Sequence, residues 1–113
     1  MAIAKRGVKG FFLVVLVVAI VTACGAMLAA QDAASLYKAK CSACHGADGK
    51  GETAIGKKMG IRDLASPDVQ KMSDDELTTV IADGKDKMPS YKKSLKPEQI
   101  KDLVAYIRSL AKK

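Results

Sequence analysis

The first feature of the chain is a run of eleven apolar residues without interruption, Phe11 to Val21. Lys5, Arg6 and Lys9 precede it, and the small residues Ala23, Cys24, Gly25 and Ala26 follow. Basic head, apolar centre and small-residue tail are the order of a secretory signal. A helix of a soluble core would carry a polar stripe, and this run has none. Three fates stay open for it. Val21-Thr22-Ala23-Cys24 resembles a bacterial lipobox, in which the cysteine is lipidated and becomes the first residue. A cut near Ala26 or Ala30 would release a soluble protein. Counted from Phe11 to Ala30, the stretch also reaches the roughly 20 residues that an uncleaved anchor needs. Each fate puts residues 31–113 outside the cytoplasm, in the periplasm of a bacterium. The division is therefore 1–30, export signal or membrane anchor, and 31–113, folded domain.

Beyond residue 30 the pattern is helical. Ala33, Leu36, Tyr37, Cys41 and Cys44 recur at steps of three and four, marking one helix face, with Asp32 placed to cap its start. Gly46 and Gly49 end that helix and open a Gly-rich loop to about Gly60. Ser66-Pro67-Asp68 reads as a cap with Pro at the first helical position, for a short helix to about Lys71. Ser73-Asp74-Asp75-Glu76 is a capping box, with Leu77, Val80 and Ile81 as the apolar face and Gly84 as the stop. Met72, just before that cap, is placed to pack on Leu77 as a hydrophobic staple. Residues 85–95 are polar around Met88-Pro89, and Pro97 starts a last helix striped by Ile100, Leu103, Val104, Ile107 and Leu110. Lys96 is a poor cap for it. No alternating strand pattern and no internal repeat occurs, so the expectation is all-α, four helices joined by long loops.

Composition adds a difficulty. The chain has no Trp, and both Phe residues lie in the apolar leader. A domain of about 80 residues buries little more than half of its surface. It needs a disulfide framework, a metal or a cofactor to complete its core. Three cysteines suit a disulfide framework poorly. Charge narrows the partners. Removing three leader cations from 19 leaves 16 against 12 acids, a net +4. That modest excess, spread over scattered lysines, fits an acidic protein surface and not nucleic acid, which would need a denser basic stripe with aromatic platforms.

Cys41-Ser42-Ala43-Cys44-His45 is the C-x-x-C-H pattern of covalent haem attachment. On a helix these positions are i, i+3 and i+4, so two thiols and an imidazole face one way: the thiols to add to two vinyl groups, the imidazole to bind iron. Zinc would need a fourth ligand, and the chain has neither a second C-x-x-C nor a second His. A dithiol of the thioredoxin type should follow a strand in a βαβ unit. A plain disulfide leaves the lone His45 without a role.

The segment CSACHGADGKG, Cys41 to Gly51, resembles the haem segment of small class I cytochromes c, and GKDKMPSYKKSLKPEQIKDLVAYIRSL resembles that family's Met-Pro loop and final helix. The similarity covers nearly all of residues 32–113. It implies a class I cytochrome c fold of about four short helices around one covalently attached haem c. Cys41 and Cys44 would be the attachment points, with His45 and Met88 as iron ligands. It also implies a packing of the first and last helices at Tyr37 and Tyr106. The other methionines fit a ligand role less well. Met1 and Met27 are in or near the leader, Met72 is explained as a staple, and Met59 lies only 14 residues after His45, against 43 for Met88. Arg62 is a candidate for a haem propionate, with a solvated loop residue as the alternative. Lys85, Lys87, Lys92 and Lys93 flank Met88 and are candidates for docking an acidic partner. The resulting expectation is a monomeric single-electron carrier between larger redox proteins, not an enzyme. A haem enzyme or gas binder with a labile sixth ligand is the main rival, and a detached haem subunit of an oxidase or dehydrogenase is the third reading.

Overall fold

The computed structural model describes residues 2–113, with side chains over 7–25 and 32–113. Lys5, Arg6, Ala26, Met27 and Ala30, on which parts of the leader reading rest, lie outside the described side chains. Among the described residues the chain is helical without strands, with α1 Ala2–Lys40, α2 Ser42–His45, α3 Ala54–Met59, α4 Pro67–Gln70, α5 Asp74–Asp83 and α6 Pro97–Leu110. It divides into two compact units, up to Gln31 and from Asp32 to Lys113. In the first, Gly7–Gly25 is long and apolar enough to cross a membrane and fits a signal sequence equally well. Val8 to Val21 are exposed throughout it, and so is Cys24.

Six helices replace the four expected, and the differences have local causes. Asp32 caps nothing, because the Ala-Met-Leu-Ala-Ala-Gln stretch before it is made of strong helix formers with no breaker. The helix through Cys44 is interrupted at Cys41, and α2 is a separate turn. The Gly-rich loop contains α3, where the Thr53 hydroxyl caps by accepting from Gly56 N at 2.9 Å. Elsewhere the pattern and the structure agree. Ser73 and Glu76 make both bonds of the capping box, 3.1 and 2.7 Å. Pro67 stands at the start of α4, although the Ser66 hydroxyl is buried and makes no cap bond. The weak cap at Lys96 is explained by Gln99, whose side chain reaches back to accept from Lys96 N at 2.9 Å.

The core of residues 32–113 gathers Tyr37, Val69, Leu77, Ile81, Leu95 and the α6 stripe, and Leu103 at its centre is 1% exposed. Burying one such aliphatic side chain contributes about 1.5–3 kcal/mol, so the five apolar positions of α6 make it the main stabilising element. Met72 packs against the cluster that holds Leu77, as a staple should. The Tyr37 and Tyr106 rings meet at 4.8 Å between centroids, tilted by 41°.

Arg108 ties α6 to the α4–α5 corner, a role the sequence did not announce. It donates to Gln70 O at 2.8 Å, Met72 O at 2.5 Å and Asp74 Oδ1 at 2.9 Å. Gln70 in turn donates to Leu64 O at 2.7 Å and Ile107 O at 3.2 Å.

Candidate cofactor site

The Cys41–His45 segment is held from both sides through its own main chain. Cys41 N donates to Tyr37 O at 2.8 Å and His45 N to Cys41 O at 2.9 Å, so helical geometry continues through the break. Cys44 O accepts from the Thr53 hydroxyl at 2.9 Å, and His45 O from Gly51 N at 2.7 Å. Gly46 O accepts from the buried Tyr37 hydroxyl at 2.7 Å. Gly56 is what lets α3 lie against this segment. A Cβ there would stand 2.6 Å from the Cys44 carbonyl oxygen and would also run into the Gly51 carbonyl.

Within this frame the reactive side chains are left free. Cys41 and Cys44 are unpaired thiols, both half-buried. Burial, then the neighbouring Cys44, pushes the Cys41 thiol up to about 11, the opposite of the lowered value that a redox-active dithiol requires. Burial lowers the His45 imidazole below its ordinary pKa, so the ring is neutral at physiological pH. His45 Nδ1 is buried and has no hydrogen-bond partner, a cost of about 1–3 kcal/mol unless something else engages the ring. Among the described residues no group of three or more His, Cys, Asp or Glu side chains is placed to hold a metal ion, which leaves a zinc site short of ligands.

Met88 lies on a folded loop. Lys85 and Met88 exchange main-chain bonds of 2.9 and 3.2 Å, closing a tight turn in which Asp86 takes a positive φ of 52°. The loop then lies on the end of α5. Tyr91 N is shared between Ile81 O and Ala82 O, both at 3.2 Å, and the Ser90 hydroxyl donates to Ala82 O at 2.5 Å. Gly84 permits that approach, since a Cβ would meet Met88 O at 2.6 Å. Met88 is half-buried and packs against the core, as Tyr91 does, and Leu95 is part of that core, so the polar loop of the sequence hides apolar contacts. The Tyr91 hydroxyl donates to Lys40 O at 3.1 Å, next to Cys41. Burial, with Cys41 and Cys44 nearby, holds that phenol above its ordinary pKa, so it stays a donor.

The structure thus brings Cys41, Cys44 and His45 onto one short segment and the Met88 loop beside it. Two thiols, a neutral imidazole with an unpaired buried nitrogen, and a thioether make a donor set that suits haem c. Met59 is 41% exposed on α3 and Arg62 is exposed. Of the four lysines near Met88, Lys92 is paired with Asp83 at 3.3 Å, and all four are exposed. Sequence reasoning missed Thr53, Gly56 and Tyr91. Thr53 carried the signal of a cap residue; for Tyr91 no local signal existed.

The sequence profile of the family described as cytochrome C oxidase, cbb3-type, subunit III matches residues 28–107. A cytochrome c6 of Limnospira maxima is 34% identical over 83 residues, covering 71% of this chain and 91% of its own length. A cytochrome c6 of Nostoc sp. is 35% identical over 76 residues, covering 67% of this chain and 66% of its own. The cbb3-type cytochrome c oxidase subunit CcoP of Rubrivivax gelatinosus is 36% identical over 89 residues, which are 72% of this chain and 27% of that protein. Among solved structures, the c-type cytochrome KustC0563 superposes with a TM-score of 0.64 at 35% identity, over 68% of this chain and 94% of its own. Profile, relatives and fold agree with one another, and the chain belongs to the small class I c-type cytochromes, electron carriers with covalently bound haem c.

Proposed function

We propose that Cys41 and Cys44 are the two attachment points, that His45 and Met88 are the two axial ligands, and that the protein passes single electrons between larger redox proteins outside the cytoplasm. The observation that carries this reading is the buried, partnerless Nδ1 of His45, on a segment whose carbonyls at Cys44, His45 and Gly46 are all engaged. The fold engages the main chain of this segment and leaves the ring without a hydrogen-bond partner. When bound, haem c with a His/Met pair supplies a one-electron iron couple of raised potential. The residues do the rest. Neutral His45 has a lone pair to give, Met88 offers a soft, neutral sulfur that favours ferrous iron, and Pro89 restricts Met88 to extended backbone. With both axial positions filled, no open site is left for a substrate, so we read the chain as a carrier and not an enzyme. We read it also as a monomer.

Residues 1–30 we assign to export or anchoring, with lipid on the exposed Cys24, a soluble product and an uncleaved anchor as the three forms to distinguish. We assign partner docking to Lys85, Lys87 and Lys93, which flank Met88, are exposed and make none of the ion pairs among the described residues. The partner surface would then be acidic.

Two measurements test the reading. Haem should survive denaturing electrophoresis and be retained as peroxidase staining, and Cys41→Ala or Cys44→Ala should lower the yield of holoprotein. Met88→Ala should lower the potential, abolish the weak near-infrared thioether-to-ferric-iron charge-transfer band and admit carbon monoxide to the ferrous form. Wild-type protein that lacks this band and binds carbon monoxide at once would overturn the Met88 assignment in favour of a gas-binding or enzymatic role. A second reading, a haem subunit of an oxidase, draws on the cbb3-type profile and the CcoP similarity. Co-purification with an oxidase core from native membranes would select it.

A further inference from the structure

The interruption of helix at Cys41 has a cost in hydrogen bonds. In an uninterrupted helix the Lys40 carbonyl would accept from Cys44 N. Here Cys44 N turns to Cys41 O instead, at 3.3 Å, and α1 ends at Lys40 with its last carbonyls to be satisfied from elsewhere. Tyr37 O takes Cys41 N, and Lys38 O takes the Ser42 hydroxyl at 2.6 Å. Lys40 O takes the phenol of Tyr91, from 51 residues further along the chain.

Tyr91 is well placed to transmit that bond. Its main-chain N is fixed to the end of α5, and its own carbonyl accepts from Ser94 N and Leu95 N at 3.0 and 2.9 Å. Its ring is half-buried against the core, three residues after Met88. Among the described residues this is the one side-chain hydrogen bond that joins the Met88 loop to the segment around the attachment motif. The loop's other side-chain bonds stay within it or go to α5 and α6.

We infer that the Tyr91 hydroxyl is a latch: it holds the Met88 loop closed against the attachment segment by filling the carbonyl that the break at Cys41 leaves open. Tyr91 is a positioning residue in this scheme, and the inference rests on Met88 being the axial ligand. Its consequence is kinetic. Loop opening, the event that must precede replacement of Met88 by an external ligand, is opposed by this bond in addition to the iron–sulfur bond.

The test uses full-length ferric holoprotein and imidazole as the probe. Tyr91→Phe keeps the ring and removes the donor. The charge-transfer band should remain, because the ligand is still present. The rate of imidazole binding should rise about fivefold, the equivalent of about 1 kcal/mol for one neutral hydrogen bond. Arg108→Lys serves as the comparison, since it loosens the α6 corner and not the loop. It should lower the denaturation midpoint while leaving the imidazole rate within a factor of two. An unchanged rate in Tyr91→Phe with the band intact overturns the latch and leaves the Met88 assignment standing. An equal acceleration in Arg108→Lys overturns it too, because the effect is then general loosening. Absence of the band from wild-type protein overturns the Met88 assignment and the latch together.

Discussion

Gly84 offers a direct way to move the Met88 loop without touching a ligand. Its φ and ψ are 78° and 169°, a region open essentially to glycine alone. Alanine there costs about 1–3 kcal/mol in backbone strain. A Cβ would also stand 2.6 Å from Met88 O, 2.9 Å from Ser90 N and 3.0 Å from the Pro89 carbonyl carbon. Overpacking of that kind adds about 1–3 kcal/mol if nothing yields. Strain and collision together, about 2–6 kcal/mol, are comparable with much of the stability of a small domain, about 5 kcal/mol at the low end. The atoms struck all belong to residues 88–90, so the cheapest relief displaces Met88 itself. Gly60 separates the two effects. It is also left-handed, φ 64° and ψ 39°, but a Cβ there has nothing within 4 Å. Gly60→Ala should therefore cost only about 1–2 kcal/mol. The assay is the near-infrared band and ferrous carbon monoxide binding, read beside guanidinium denaturation of each holoprotein. Gly84→Ala should weaken or lose the band, bind carbon monoxide faster and unfold at markedly lower denaturant. Gly60→Ala should keep the band. A Gly84→Ala protein that keeps the band and is no less stable than Gly60→Ala would refute the reasoning.

Three further outcomes are expected. Electron transfer with the physiological partner should slow as salt rises, because screening shortens from about 10 Å at 0.1 M to about 3 Å at 1 M. Replacing Lys85, Lys87 and Lys93 together with Gln should lower the low-salt rate about tenfold. Lys92→Gln should do less, since Lys92 already faces Asp83, and a rate flat between 20 mM and 500 mM salt (about 20 to 4 Å of screening) argues against the patch. Arg108→Lys should lower stability by about 2 kcal/mol, because an ammonium cannot span two carbonyls and a carboxylate. Asp74→Ala should cost less than about 1 kcal/mol, since the Asp74 side chain is 75% exposed. A denaturation series that reverses this order contradicts the account of the clamp. Intact mass of the mature chain decides among the three leader outcomes: acyl mass on a chain starting at Cys24, a plain chain starting after Ala26 or Ala30, or the uncut protein.

Much of the molecule was legible because it rests on short-range rules. The capping box at Ser73, Pro97 at the start of α6, the α6 stripe and the C-x-x-C-H spacing each involve residues within a few positions of one another. Helix, cap and motif chemistry are local, so a single sequence carries them. The misreadings share the opposite property. α3 is six residues long, too short to form on its own strength, and it exists because Gly56 can lie against the Cys44 carbonyl. The break at Cys41 leaves Lys40 O to be filled by a tyrosine 51 residues away. Arg108 carries no local signal of its role, because its three partner residues lie 34 to 38 positions earlier. The sequence by itself determined the all-helical class and the C-x-x-C-H spacing, and it supplied Met88 as the methionine proposed to face that motif. Only the tertiary structure decided how the Met88 loop is held and which carbonyls the motif surrenders. A hydrogen bond across many residues depends on where the intervening chain runs, and that path is set by burial of the whole core.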